Sequence, residues 1–195
     1  MNALFDFIVI PDGDSTTSKK NLKGKELILN TELQNHNYIN RIGIVVAEPL
    51  VNNTDIKTGD RVIVHHNVFR RFYDIRGKEK SSRSYFKENK YFVNQSQIFA
   101  FKKDKWQCLK GFCFIKPLKE DKMFSSNFEK PGIGIVKYTD GSINKNELVG
   151  YKLGFEYDFY IDNEKLYRVP TNQITIKYEY QGNEEEYNPS WAKSS

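Results

Sequence analysis

Cysteine, histidine and long apolar runs are scarce in this chain of 195 residues. The two cysteines, Cys108 and Cys113, are too few and too oddly spaced for a disulfide framework or a zinc knuckle, which favours a reducing compartment. No stretch approaches the ~18 apolar residues of a membrane span, and the N-terminal residues lack the basic start and apolar run of a signal peptide. We therefore expect a cytoplasmic protein without a membrane partner.

Sequence motifs of catalysis are also missing. The chain has no Gly-x-Ser-x-Gly elbow, no Gly-x-x-x-x-Gly-Lys phosphate loop and no His-Glu-x-x-His motif. His65 and His66 are neighbours on a predicted strand, so they point to opposite faces and cannot chelate one ion together, and His36 is in a predicted loop. A nucleophilic cysteine would need an activating base that nothing in the sequence indicates. We expect no enzymatic activity, no cofactor and no metal site.

Aromatic residues, by contrast, are abundant. They make up 14% of the chain, with twelve Tyr and fourteen Phe, and such residues favour pleated, half-buried strands. No window keeps the apolar stripe and caps of an amphipathic helix. The sequence therefore predicts an all-β protein, with strands near residues 4–10, 40–48, 61–67, 90–94, 97–102, 112–118, 133–138, 151–156, 158–161, 165–169 and 173–180.

Three sequence patterns occur twice, in the same order. The first is Phe-x-Phe-Ile followed by proline, at Phe5 and again at Phe112. The second is Gly-Ile-Val, at Gly43 and Gly134. The third is Tyr-x-Val-x-x-x-Gln-Ile, at Tyr91 and Tyr167. Three matches in one order predict two tandem copies of one β unit, residues 1–103 and 104–195, with the second copy ending in an acidic tail that is either disordered or a strap along a neighbour.

The first copy is longer because of two insertions. Residues 12–37 begin with a polar run that cannot bury enough apolar surface to order itself, and later carry the triplet Leu27, Ile28 and Leu29. Residues 69–89 combine seven Lys or Arg with five aromatic residues, a mixture that single-strand nucleic-acid surfaces use. Three carboxylates dilute this charge, so we interpret the insertion as a solvated or packed hairpin and expect no strong nucleic-acid affinity.

The order of elements within each copy resembles the GroES co-chaperonin family over most of the chain. Each copy has a leading strand, a polar loop, a Gly-x-Val strand, a turn, a hairpin and a closing strand. The residues that carry the resemblance are 5–10, 41–47, 56–64, 91–93 and 97–100 in the first copy, and 134–136, 154–155, 162–169 and 172–174 in the second. The resemblance implies two tandem GroES-like irregular β-barrels.

The resemblance also implies a function and a site. Members of this family form ring-shaped homo-oligomers that cap a GroEL-type chaperonin and assist ATP-dependent folding without hydrolysing ATP themselves. Their working part is a mobile loop between the first two strands, tipped by an apolar triplet. The matching residues here are Leu27, Ile28 and Leu29, which we expect to bind the chaperonin.

Two alternatives stay open. Leu27 to Leu29 could instead form a short strand on their own barrel, because three adjacent apolar residues are common in strands. The shorter loop of the second copy has Met123, Phe124 and Phe128 but no aliphatic triplet, which leaves a second docking motif open. The Lys, Asn and Tyr bias resembles that of AT-rich bacteriophages, so the barrels could also build a virion or its assembly machinery, with the protein in the virion and not the host cytoplasm.

Overall fold

The chain is described here from a computed structural model. The described residues are 3–13, 19–22, 25–28, 39–120 and 129–189, and for 19–22 and 25–28 the backbone alone is described. They form seventeen strands and two 3-10 segments of three residues each. The prediction of an all-β protein is confirmed. None of the helical segments in the described part of the chain could span a membrane.

The chain divides into two compact units, Met1–Trp106 and Gln107–Ser195. The predicted division after residue 103 lies three residues earlier. The strands up to this boundary are β1 (Phe7–Pro11), β2 (Lys19–Leu22), β3 (Lys25–Ile28), β4 (Ile42–Ala47), β5 (Arg61–Val64), β6 (Arg71–Tyr73), β7 (Glu79–Ser81), β8 (Tyr85–Lys87), β9 (Lys90–Val93), β10 (Ile98–Lys102) and β11 (Trp106–Cys108), which runs across it. The second unit continues with β12 (Phe112–Lys119), β13 (Glu129–Tyr138), β14 (Leu148–Tyr151), β15 (Tyr157–Ile161), β16 (Glu164–Pro170) and β17 (Ile174–Tyr178).

Antiparallel pairing organises each unit around its leading strand. One sheet has the order β11-β10-β5-β4-β1-β9-β8, and the other has the order β15-β16-β12-β13-β14-β17. Thus β1 lies between β4 and β9, and β12 lies between β13 and β16. The strands β2 and β3 form a separate two-stranded sheet, as do β6 and β7.

The two units share strand register as well as strand order. Pro11 is paired with Gly43 in the first unit, and Pro117 with Gly134 in the second. Each leading strand also has a register shift at the same place, between Ile8 and Val9 and between Phe114 and Ile115. A bulge adds one residue to one strand at one point, so its recurrence at one position is specific. The two units therefore have one common architecture.

The turn that precedes β5 in the first unit has the same hydrogen bond as the turn that precedes β14 in the second. The backbone N–H of Gly59 donates to Val45 at 2.8 Å, and that of Asn146 donates to Val136 at 2.8 Å. Gly59 has φ +96° and Asn146 has φ +65°. Glycine and asparagine tolerate this left-handed conformation better than other residues. The Gly59-Asp60 turn of the first unit therefore corresponds to the Asn146-Glu147 turn of the second, with the same hydrogen bond in both.

The first of the three sequence matches is out of register by one residue. Because Pro11 and Pro117 are equivalent, Phe7 corresponds to Cys113 and not to Phe114. The pairings agree with this, since Phe7 is opposite Val93 and Cys113 is opposite Val169. All four side chains are fully buried. A small thiol in the second core therefore occupies the place of a phenyl ring in the first.

The strand predicted at residues 151–156 is wrong in position. The strand there is β14, Leu148–Tyr151, and the chain then turns through Gly154 at φ +86°. Leu153 and Phe155, which lie within the predicted strand, are 61% and 45% exposed. The prediction failed because apolar residues exposed in a surface turn can give the same sequence pattern as a half-buried strand.

Candidate functional site

The connection between β1 and β4 contains the predicted docking residues. Its strands β2 and β3 pair antiparallel, with Lys20 opposite Leu27 and Lys19 opposite Ile28. Leu27 and Ile28 thus lie in a strand, but this strand pairs with β2 and, within the described residues, not with the seven-stranded sheet. Leu29, the side chains of both strands and most of residues 12–37 lie outside the described residues. The structure shows a hairpin at the expected place between the first two strands of the sheet.

Polar contacts fix the point where this connection leaves the sheet. The backbone N–H of Asp12 donates to Ile42 at 2.9 Å, and the Asn40 side-chain amide donates to the carbonyl of Asp12 at 2.8 Å. The Oδ1 of the same amide accepts from the N–H of Ile42 at 2.9 Å. The Asp12 carboxylate lies 2.6 Å from the Arg61 guanidinium. The two ends of the hairpin connection are therefore joined to each other and to β5.

A close approach of two strands explains the glycine at this root. A Cβ at Gly43 would lie 2.5 Å from Val9 Cγ1 and 2.9 Å from the carbonyl oxygen of Ile10. At the equivalent Gly134, a Cβ would meet the equivalent atoms of Ile115 and Lys116. Real Cβ atoms do not approach backbone so closely. Each unit therefore requires glycine in the strand that follows its first connection, β4 in the first unit and β13 in the second.

The equivalent root in the second unit is covered by the C-terminal strap, defined here as residues 185–189. Leu118 forms an antiparallel bridge with Glu186. The N–H of Lys119 donates to Glu185 at 2.8 Å, and the N–H of Tyr187 donates to Pro117 at 2.8 Å. The tail was predicted to be a disordered end or a strap along a neighbour; in the described residues it lies along its own unit. The residues 121–128 of the second loop lie outside the described residues.

A polar network lies beneath this strap. Lys116 is 2% exposed, and its Nζ donates to Asn188 at 3.1 Å and lies 3.6 Å from the Glu164 carboxylate. Desolvation lowers the pKa of Lys116, and the Glu164 carboxylate partly offsets this effect. The Lys165 ammonium and the Tyr167 hydroxyl both donate to the Glu129 carboxylate. The equivalent of Lys116 in the first unit is Ile10, so this network belongs to the second unit alone.

The basic insertion forms the hairpin of β6 and β7, followed by β8. Phe69 at its start is fully buried and meets Tyr91 edge-on, with ring centroids 4.9 Å apart. This contact anchors the insertion in the core of the first unit. Each of its carboxylates has a partner: Asp74 accepts from two backbone N–H groups of the turn, Glu79 pairs with Arg71 at 3.2 Å, and Glu88 pairs with Lys90 at 2.9 Å.

A groove is lined by residues of this insertion, by Asn67 before it and by Gln97, which lies in the 3-10 segment before β10. Its lining includes two arginines, an aromatic ring and uncharged polar groups: Asn67, Arg70, Phe72, Arg83, Ser84 and Gln97. Its volume is about 410 Å³. The sequence did not indicate this groove, because its residues come from separate segments. The positive charge within the insertion was the only signal of it.

Among the histidines, His65 and His66 are described and His36 lies outside the described residues, and both cysteines are buried. His65 and His66 follow β5 and do not lie within it, and their ring centroids are 4.2 Å apart. His65 Nδ1 accepts from the N–H of Asn67 at 3.1 Å. No metal-binding group of three or more His, Cys, Asp or Glu occurs in the part of the chain that the structure describes. Burial raises the pKa of Cys113 to about 12 and raises the pKa of Cys108 well above its usual value.

An exposed apolar patch lies at the other end of the first unit. Leu4 and Phe5 are next to Leu50 and Val51, and all four are at least 60% exposed. Backbone hydrogen bonds from Leu50 to Ala3 at 3.0 Å and from Val51 to Leu4 at 3.1 Å join the two segments. Contiguous apolar surface of this kind is typical of sites that contact another protein.

Comparison with known proteins adds no family assignment. No protein-family model matches the chain, and a search of curated proteins gives no match.

Proposed function

We propose that this protein is a co-chaperonin that caps a GroEL-type chaperonin and assists ATP-dependent protein folding without hydrolysing ATP. The observation that carries the proposal is the hairpin of β2 and β3, which lies between the first two strands of a duplicated β unit and contains Leu27 and Ile28. Its position matches that of the docking loop in the GroES family. Under this proposal both units are GroES-like barrels and the protein acts in the cytoplasm.

The energetics of such a tip explain why a ring is part of the proposal. Fully burying Leu27, Ile28 and Leu29 contributes about 1.5–3 kcal/mol for each side chain. Ordering the segment costs about 2–5 kcal/mol, so one hairpin binds weakly. Several hairpins on one ring bind tightly, because after the first contact the others are at high effective concentration. The Leu4, Phe5, Leu50 and Val51 patch supplies apolar surface for contacts between chains.

The experiment that tests this function compares two variants that add the same charge to one hairpin. Ile28→Asp places a carboxylate in the proposed tip, and burying it in an apolar groove is strongly unfavourable. Asn21→Asp adds a carboxylate to the partner strand, where Asn21 is opposite Glu26 and not opposite the tip residues. Binding to a bacterial chaperonin is measured by pull-down with ADP present, and stability by thermal unfolding.

We expect Ile28→Asp to abolish chaperonin binding and to leave the melting temperature unchanged. We expect Asn21→Asp to leave both the binding and the melting temperature as in the wild type. A large fall in melting temperature for Ile28→Asp would mean that the strand packs on its own unit, and would refute the docking role. The virion alternative predicts that neither the wild type nor either variant binds chaperonin, and that the wild type assembles into larger particles.

A further inference from the structure

The groove beside the basic insertion has the chemistry of an anion site. Arg70 and Arg83 both line it, and none of the described lining residues is acidic. The three carboxylates of the insertion, which were expected to offset its charge, are instead held by the β6–β7 turn, by Arg71 and by Lys90. The positive charge at the groove is therefore not neutralised by its own insertion.

Hydrogen-bond donors without acceptors strengthen this reading. The Nε of Arg70 is shielded from solvent and makes no hydrogen bond with the described part of the chain. A buried donor in this state is unfavourable unless a ligand or water supplies an acceptor. The Oε1 of Gln97, another lining residue, accepts from the N–H of Asn94 at 3.0 Å. The amide nitrogen of Gln97 is thereby the atom left to donate to a ligand.

The walls of the groove are held in place by the core. Val68 and Phe69, which precede Arg70, are fully buried. The Ser82 hydroxyl donates to the carbonyl of Val68 at 2.6 Å and so joins the segment that follows β7 to the segment that precedes β6. The N–H of His65 donates to the carbonyl of Gln97 at 2.8 Å. Arg70 and Gln97 are therefore positioned by neighbours that do not depend on a ligand.

We propose that this groove binds a nucleotide, with Arg70 and Arg83 holding its phosphate and Phe72 contacting its base. Arginine presents a planar fork of donors that matches phosphate oxygens. An aromatic ring beside a phosphate site accepts the flat face of any base, because every base can stack. A volume of about 410 Å³ is within the range of small-molecule sites. Both a free mononucleotide and one unit of a single strand present this chemistry.

Binding assays on the full chain test the site and distinguish its two possible ligands, a free mononucleotide and a single strand. Fluorescence anisotropy with a labelled oligothymidylate of about twelve nucleotides reports strand binding. Calorimetry with AMP and with inorganic phosphate reports mononucleotide and phosphate binding. The test variant combines Arg70→Gln, which keeps most of the aliphatic stem, with Arg83→Ala. The control combines Arg76→Ala with Lys78→Ala, which removes two exposed charges from the same hairpin outside the groove.

We expect AMP to bind more tightly than inorganic phosphate, and the groove variant to lose about tenfold or more in affinity because charge-assisted hydrogen bonds are removed. The control variant should stay within about threefold of wild type, with the small loss due to screened long-range charge. If oligothymidylate binds at least tenfold more tightly than AMP, the ligand of the groove is a single strand. If the two affinities are equal, the ligand is a free nucleotide.

Two outcomes would overturn the proposal. One is the absence of binding by AMP and oligothymidylate at millimolar concentration. The other is an equal loss in the groove and control variants, which would mean diffuse charge without a site. If the double variant fails to fold, Arg83→Ala alone decides the question, because Arg83 is exposed and its truncation leaves the core intact.

Discussion

Gly43 and Gly134 are at equivalent places in the two units, where the neighbouring strand lies in the position that a side chain would occupy. We predict that Gly43→Ala destabilises the protein by about 1–3 kcal/mol, because the new Cβ forces β1 and β4 apart. The control is Val46→Ala in the same strand, whose side chain is partly exposed and whose truncation should cost about 0.5 kcal/mol or less. Urea denaturation measures both. Equal effects would contradict the close approach.

The buried thiols predict a dependence of stability on alkaline pH. Desolvation, with a smaller contribution from Asp140, raises the pKa of Cys113 to about 12. In the unfolded chain the thiol ionises near its usual value of about 8.5, so the native state loses stability as pH rises above that value towards 12. At about pH 10 this loss is about 1 kcal/mol or more for Cys113.

The measurement is urea denaturation at pH 7 and about pH 10, with Cys113→Ala as the comparison. Tyrosines whose pKa is raised by burial, such as Tyr151, add to the loss in both proteins. The wild type should therefore lose more stability than the variant between the two pH values. An equal loss would show that Cys113 does not stay protonated in the native state.

The sequence predicted the roles of some residues and missed others. Tyr91 and Tyr167 were matched correctly, because each is followed by a valine and a Gln-Ile pair that continue the strand pattern. The Phe-x-Phe match was out of register by one, because the position equivalent to Phe7 is Cys113 and the phenylalanines of the second unit stand one residue later. The burial of Lys116 could not be predicted, because it depends on a tail about seventy residues later in the chain.

At the scale of elements, long strands in the main sheets were predictable and short hairpin strands were not. The strands β1, β4, β12 and β13 have one buried face or two, so apolar residues mark them. The strands β2, β3, β6 and β7 belong to two-stranded sheets outside the main sheets. The strands β6 and β7 contain no buried residue, so no buried alternation reveals them. The β2–β3 hairpin was predicted as a polar loop with an apolar triplet, without its strand pairing.

The C-terminal strap gives a prediction at this scale. Deleting residues 185–195 removes two backbone hydrogen bonds to β12 and the Asn188 partner of the buried Lys116. We expect a loss of about 3 kcal/mol, since hydrogen bonds contribute about 1 kcal/mol each and the Lys116 ammonium loses its Asn188 partner, keeping Glu164 at 3.6 Å. Deleting only residues 190–195 is the control and should leave stability unchanged.

Thermal unfolding and hydrogen exchange measure this effect. The longer deletion should lower the melting temperature and speed exchange in β12, which the strap covers, while exchange in β1 of the first unit stays as in wild type. If both deletions behave alike, residues 185–189 do not stabilise the second unit.

At the scale of the whole molecule, the common register of the two units indicates duplication of one architecture with different additions. The first unit has the β2–β3 hairpin and the basic insertion, and the second has the strap and the buried lysine network. Under the co-chaperonin proposal each chain presents one apolar tip, so tight binding needs several chains. We predict an oligomer, whose number of chains is left open.

Static light scattering at micromolar concentration measures this oligomer. The mass of one chain is 22.9 kDa, and we expect a mass several times greater. Replacing Leu50 and Val51 by Ser should lower the measured mass if the exposed apolar patch forms the contact between chains. A mass of one chain for the wild type would contradict the ring.

The most direct test of the central proposal is retention of a bacterial chaperonin by the purified wild-type chain. The chain is immobilised, the chaperonin is added with ADP, and the bound fraction is quantified after washing. The co-chaperonin account predicts stoichiometric retention that a peptide of residues 19–30 competes away at high concentration. No retention with either ADP or ATP would contradict it.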